Sequence, residues 1–232
     1  MNIKGKIPDL FTSLNLLAGC FGIMALFENK PIVAAFLIIA GSVCDFFDGF
    51  FARLLKTGSM LGKELDSLAD LITFGLLPAF LMYYIMNRNG VPFPYISFVM
   101  VLAAAFRLAR FNTENGHRDD FLGLPTPANA FFVTGFIFIY LADWTSFRFV
   151  FNNPGILTAG ILILSYLMIS NIRFLSLKFR NMKWRENGYR YLVLVSGMIL
   201  IIFLRFEGIF FAMLVYLIIS VYRHFSLLFK MR

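Results

Sequence analysis

Four aspartates, Asp45, Asp48, Asp66 and Asp70, stand in or beside segments otherwise apolar enough to cross a bilayer. They belong to one stretch, Asp45-x2-Asp48-Gly49-x2-Ala52-Arg53-x8-Gly62-x3-Asp66-x3-Asp70. An ionised carboxylate at the centre of a membrane helix costs roughly 2.5–3.5 kcal/mol on the gentlest insertion scale. Four together must be neutralised by cations or ligand charge, so a metal site is the first expectation. Separations of three and four residues place each pair on one helix face. Gly49 and Ala52 extend the first face with almost no side chain, leaving a trough that admits a flat or bulky ligand, and Arg53 follows one turn after Gly49. The short turn Lys56-Thr57-Gly58-Ser59, with Gly62, predicts two antiparallel neighbouring helices whose carboxylates converge near the membrane boundary. Oxygen-only ligands suit hard cations such as Mg²⁺ or Mn²⁺ and disfavour zinc. Four carboxylates suffice for two ions with bridging ligands, which clamp the attacking and leaving oxygens of a phosphoryl displacement. Arg53 adds a partner for phosphate or carboxylate. These residues point to metal-assisted phosphoryl chemistry at a membrane surface.

The elements that position them are membrane helices. The chain is 59% hydrophobic and 15% charged, with 30 Phe in 232 residues and a mean hydropathy of +0.77. Soluble domains carry about 25% charged residues, so a water-soluble globule is excluded. Apolar runs of spanning length, about 17–25 residues, lie near 10–28, 32–55, 63–86, 92–113, 127–143, 154–172, 189–205 and 207–223. Asn29-Lys30-Pro31, Asn87-Arg88-Asn89-Gly90, the polar run from Thr113 to Asp120, Asn152-Asn153-Pro154-Gly155 and the basic run from Lys178 to Arg190 separate them. Arg205-Phe206-Glu207-Gly208 reads as a helical hairpin turn. The predicted class is an all-α, polytopic membrane bundle of about eight spans, a single domain over 1–232 with both termini on one side. Lys30, Arg88, Arg148 and Arg205 fall on the far side, and the other 17 of the 21 Lys and Arg residues on the side of the termini. By the positive-inside rule the termini and the aspartates are cytoplasmic. The net charge of +8 is therefore topological, with some basic residues free to meet anionic headgroups, and implies no nucleic acid. No signal segment with a cleavage site precedes the first apolar run, which leads us to expect an uncleaved protein of the inner membrane. Cys20 and Cys44 read as buried thiols with no disulfide framework.

The stretch from Asp45 to Asp70 resembles the signature of the CDP-alcohol phosphotransferases, with all eight specified positions filled. The resemblance implies a CDP-linked lipid donor, two divalent ions and release of CMP. It implies Asp45, Asp48, Asp66 and Asp70 as metal ligands, with Asp70 also the general base that deprotonates the acceptor alcohol. Asp48, Gly49, Ala52 and Arg53 would line the nucleotide and pyrophosphate site, joined by Thr12 and Asn15 from the opening segment. A six-helix core, here about residues 8–172, and a homodimer are also implied; the basic loop and two helices of 173–232 lie outside that core.

Two further segments resemble the serine-accepting branch of the family, which makes phosphatidylserine from CDP-diacylglycerol and L-serine. One is Phe106-Arg107-Leu108-Ala109-Arg110-Phe111-Asn112 with Gly123-Leu124-Pro125-Thr126-Pro127. The other is Ile7-Pro8-Asp9-Leu10-Phe11-Thr12-Ser13-Leu14-Asn15, although the branch usually has Asn where this chain has Asp9. Arg107 and Arg110, one turn apart, suit the serine carboxylate, and Asn112 and Thr126 join them as expected acceptor-site residues. Glycerol phosphate would also want arginines, so a sister enzyme with another acceptor stays open, as does a cation-coupled transporter using the buried carboxylates. Plainer readings stand beside these. The arginines could anchor a helix end, the prolines punctuate helices, Asn15 bond between helices, and Gly19 and Gly22 permit close packing.

Overall fold

Breaker residues end the first helices in one recurring way. The computed structural model describes residues 3–57, 59–113, 121–177 and 184–230. Helix α1 (Ile3–Phe27) stops where Asn29 takes a left-handed φ of 55°. There the Lys30 N–H reaches back to the Ala25 carbonyl and the Asn29 N–H to that of Leu26. Lys56 (φ 53°) ends α2 (Pro31–Leu55) and Gly90 (φ 66°) ends α4 (Leu77–Arg88) with the same paired bonds. This is the Schellman closure, which satisfies carbonyls the helix leaves unpaired. Pro31 then opens α2, its missing N–H costing nothing at a first helical position. Ser59 caps α3 (Met60–Asp70) by accepting the Gly62 N–H at 2.9 Å.

Between α3 and α4 the helix widens into a π segment, Leu71–Leu76. Pro78 cannot donate to the Phe74 carbonyl one turn back, and the N–H of Leu77 instead reaches Ile72, five residues earlier. Beyond a short 3₁₀ turn (Pro94–Phe98) follow α5 (Val99–Thr113), α6 (Thr126–Leu141), α7 (Arg148–Phe151) and α8 (Pro154–Ile169). The last two long helices are α9 (Trp184–Leu204) and α10 (Gly208–Lys230). A two-residue ladder pairs β1 (Phe121–Leu122) with β2 (Arg173–Phe174).

The fold is an all-α membrane helix bundle. Among the described residues five helices are long and apolar enough to cross a membrane, or six if Thr126–Leu141 and Thr145–Phe151, bent by 116°, form one span. Helix α8 is apolar but only 16 residues long. The fifth stretch, Asn187–Leu227, is itself folded back on the turn Arg205–Glu207, where Arg205 has φ 54°. A Cβ on Gly197 would lie 3.4 Å from that of Ala212, which a straight helix could not allow. Helices thus occur at all eight anticipated places, but a count of eight spans is not established. The predicted break over Thr113–Asp120 falls, after Thr113, outside the described residues, as do Gly58 of the Lys56–Ser59 turn and residues 178–183 of the Lys178–Arg190 break. The rest of that break is corrected, since residues 184–190 already belong to α9.

Helix α1 buries one stripe, Pro8, Thr12, Asn15, Ala18, Gly19, Gly22 and Ala25, against α2, α3 and the π segment. Gly19 and Gly22 act as packing residues: a Cβ at Gly19 would come within 2.5 Å of Thr73 Oγ1, and one at Gly22 would strike Leu77. The expectation of two buried thiols is corrected. Both cysteines are free, but Cys20 is exposed and Cys44 half-buried, because Cys20 follows the stripe by one residue and so turns outward. At the end of the bundle opposite the aspartates, Arg88 donates to Asn29 at 3.3 Å and Phe36 packs on Phe206 at 5.0 Å. There the α1–α2 turn, the end of α4 and the final hairpin turn all meet.

Candidate active site

Helices α2 and α3 supply the carboxylates, and α1 orients them. One oxygen from each of Asp45, Asp48 and Asp66 lies within 4.8 Å of the other two. Asp48 is 6% exposed, and Asp66 Oδ1 is buried with no hydrogen-bond partner. Buried charges persist only when paired or bound to metal, so this partly unsatisfied all-oxygen set fits a hard divalent cation. Asp70 stands one helical turn deeper, outside that trio, within electrostatic reach of Asp45, Asp66 and Asp48.

Two side chains of α1, three residues apart, each hold one carboxylate. Thr12 Oγ1 donates to Asp48 Oδ2 at 2.8 Å, and Asn15 Nδ2 donates to Asp70 Oδ1 at 3.2 Å. Asn15 is fully buried, and its backbone carbonyl accepts from Thr73 Oγ1 at 2.7 Å.

A cleft of about 210 Å³ opens over Asp48 and Asp66, walled by Thr12, Gly49, Ala52, Gly62 and Lys63. Nothing lies within 4 Å of where a Gly49 Cβ would sit, so the small-residue trough is open. Arg53 is exposed and Asn15 is buried beside Asp70; neither is among the residues that line the cleft. Lys63 was not anticipated from the sequence, and neither were Thr57 and Ser59, which also line it. The available sign was the Lys63–Asp66 spacing of three, which puts the cation on the carboxylate's helix face.

On the far side of Asp70 the expected acceptor residues divide. Arg107 is buried on α5, donates from Nη1 to Thr126 Oγ1 at 3.2 Å and keeps Nε without a partner; Asp70 acts on it electrostatically. Thr126 reaches this place through Gly123, whose φ of 74° no side chain would tolerate against the Met168 carbonyl. The adjoining backbone is tied down by Gly123 N–H to Ile172 and Leu124 N–H to Leu167, both at 2.9 Å. Arg110 instead donates to Asn171 at 2.9 Å. Asn112 donates to Ser67 at 2.9 Å and accepts from Lys63 through its backbone carbonyl at 3.2 Å. Asn129, unanticipated, is fully buried with both amide atoms unpartnered. Its spacing of three from Thr126 puts it on the same face of α6.

Residues 5–169 match the sequence profile of the CDP-alcohol phosphatidyltransferases. The chain belongs to that family. Among curated CDP-alcohol phosphatidyltransferase relatives, it is 37% identical over 129 residues to a CDP-diacylglycerol–serine O-phosphatidyltransferase of Helicobacter pylori, 54% of each chain. A protein of the same name from Bacillus subtilis is 36% identical over 125 residues, 52% of this chain and 69% of that one. An archaetidylserine synthase of Methanothermobacter thermautotrophicus is 36% identical over 143 residues, 56% and 59% of the two chains. The chain thus spans about half the length of the first of these relatives.

Proposed function

We propose that the protein transfers a phosphatidyl group from CDP-diacylglycerol to the hydroxyl of L-serine and releases CMP. The observation that carries the reading is the convergence of Asp45, Asp48 and Asp66, of which Asp48 and Asp66 line an open cleft walled by Gly49 and Ala52. The three relatives above support serine as acceptor, since their names specify serine or its product.

Asp45, Asp48 and Asp66 would hold two Mg²⁺ or Mn²⁺ ions, with Asp70 beside them. When bound, such ions supply Lewis-acid stabilisation of the attacking and leaving oxygens. The residues of the chain do the rest. Gly49 and Ala52 admit the nucleotide close to the α2 backbone. Thr12 holds Asp48 in place, and Lys63, with Arg53 at the rim, offers cations to the pyrophosphate. Arg107 takes the serine carboxylate, with Thr126 orienting its guanidinium and Arg110 and Asn112 bracing the helices around it. Asp70 accepts the proton of the serine hydroxyl as that oxygen bonds to the lipid-side phosphorus. The bond from that phosphorus to the bridging oxygen breaks, and CMP departs with the electron pair. In this proposal residues 8–172 form the catalytic core of a homodimer in the cytoplasmic membrane. Termini and site face the cytoplasm, and the donor's acyl chains stay in the bilayer.

The test is an assay of purified protein with CDP-diacylglycerol, Mg²⁺ or Mn²⁺ and labelled serine, glycerol phosphate or inositol, following lipid product and CMP together. Product with serine, lost on chelation and restored by metal, supports the reading. Product with glycerol phosphate alone overturns the acceptor, and no CMP with any alcohol overturns the reaction.

A further inference from the structure

We propose that Asn15 is a positioning residue that fixes the Asp70 carboxylate for proton transfer, and that Thr73 of the π segment anchors Asn15. The inference rests on the reading of Asp70 as general base. It assigns Asn15 to the acceptor side of the reaction rather than to the nucleotide.

The amide's orientation follows from its partner. An ionised carboxylate offers only acceptors, so Asn15 Nδ2 faces Asp70 Oδ1, at 3.2 Å, and leaves Asp70 Oδ2 as the oxygen that takes the proton. Asn15 Oδ1 consequently turns away and is buried without a partner. Leaving a buried acceptor unmade is destabilising, a cost that a residue serving only helix packing would shed by becoming leucine. The bond to Asp70 holds this orientation, and the amide sits in a tightly packed place. A Cβ on Gly41 would come within 2.9 Å of Asn15 Oδ1 and 2.6 Å of Thr73 Cγ2. From the third side Thr73 Oγ1 donates to the Asn15 carbonyl at 2.7 Å, through a gap that exists because residue 19 is glycine. Thr73 lies three residues after Asp70 within the π segment. The irregular turn thus presents base and anchor to the same α1 residue.

The experiment uses the full-length protein, with Mn²⁺ as probe. Asn15→Leu lowers kcat by about 100-fold, the scale of loss for misplacing a reacting group by about 1 Å. The KM values for both substrates, and Mn²⁺ affinity measured by electron paramagnetic resonance, stay near wild type. Thr73→Val lowers kcat less, Thr73→Ser returns it toward wild type, and the double variant Asn15→Leu/Thr73→Val is no slower than Asn15→Leu alone. That non-additivity marks Thr73 as acting through Asn15. If Asn15→Leu does not fold, the Thr73→Val and Thr73→Ser pair decides. Normal kcat in Asn15→Leu, losses that multiply in the double variant, or loss of Mn²⁺ binding in Thr73→Val would each overturn the proposal. Should the wild type use an alcohol other than serine, the acceptor reading fails and the same comparison is run on that alcohol.

Discussion

Asp70 differs from the other three aspartates in its neighbours: an amide donor on one oxygen, a buried arginine within electrostatic reach, and a place outside the close carboxylate trio. Removing it should therefore separate chemistry from metal binding. Asp70→Asn is expected to cut turnover by about 10²–10⁴-fold, the contribution of a positioned general base, while Mn²⁺ binding followed by calorimetry persists. Asp66→Asn should do the reverse at the first step and weaken Mn²⁺ binding itself, because it deletes one of the trio. Equal metal loss in both variants would put Asp70 among the principal ligands. Arg107→Lys is a second residue-scale test. A lysine keeps the charge but loses the fork that serves Thr126 and a carboxylate together. The KM for serine should rise by about 10-fold or more, the equivalent of one lost charged hydrogen bond, with the KM for CDP-diacylglycerol unchanged.

At the scale of elements, the packing of α1 on the π segment is the joint the site depends on. Gly19→Val would drive two methyls into Thr73 and Ile72. The overpacking should cost about 1–3 kcal/mol, read as a lower melting temperature in detergent, with activity lost sooner than fold. Much at this scale is legible in the sequence. The carboxylate pairs follow from spacings of three and four, and Asn29, Lys56–Ser59 and Gly90 announce the turns where they occur. Arg53 does not line the cleft because one turn after Gly49 is five residues after Asp48, and five residues rotate a helix by about 140° from the carboxylate face. The π segment has Pro78 as its only trace. The bend between Thr126–Leu141 and Thr145–Phe151 falls at Asp143, which takes a left-handed φ of 51°. Asn15 was visible as a polar residue in an apolar run, but its partner is 55 residues away and is fixed only by how three helices pack.

For the molecule as a whole, the charge bias makes a prediction that packing does not. In sealed inner-membrane vesicles of known sidedness, tags at both termini should be reached only from the cytoplasmic face, and a tag at Arg148 only from the other. The opposite pattern would remove the aspartates from the compartment that holds nucleotide. A related difference was not legible. Cys20 was expected to be buried, yet it faces outward from α1, because burial in a bundle is set by rotational phase and not by local apolarity. The same phase governs the site. Thr12 and Asn15 ride on one rigid helix, and each grips a carboxylate from a different partner helix. A shift of α1 by a single residue would turn both away by about 100°. The two ends of the reaction therefore share one mechanical register. A change on α1 that retunes how the donor is held cannot leave the acceptor's base untouched, and mutational effects at the two should be correlated by geometry.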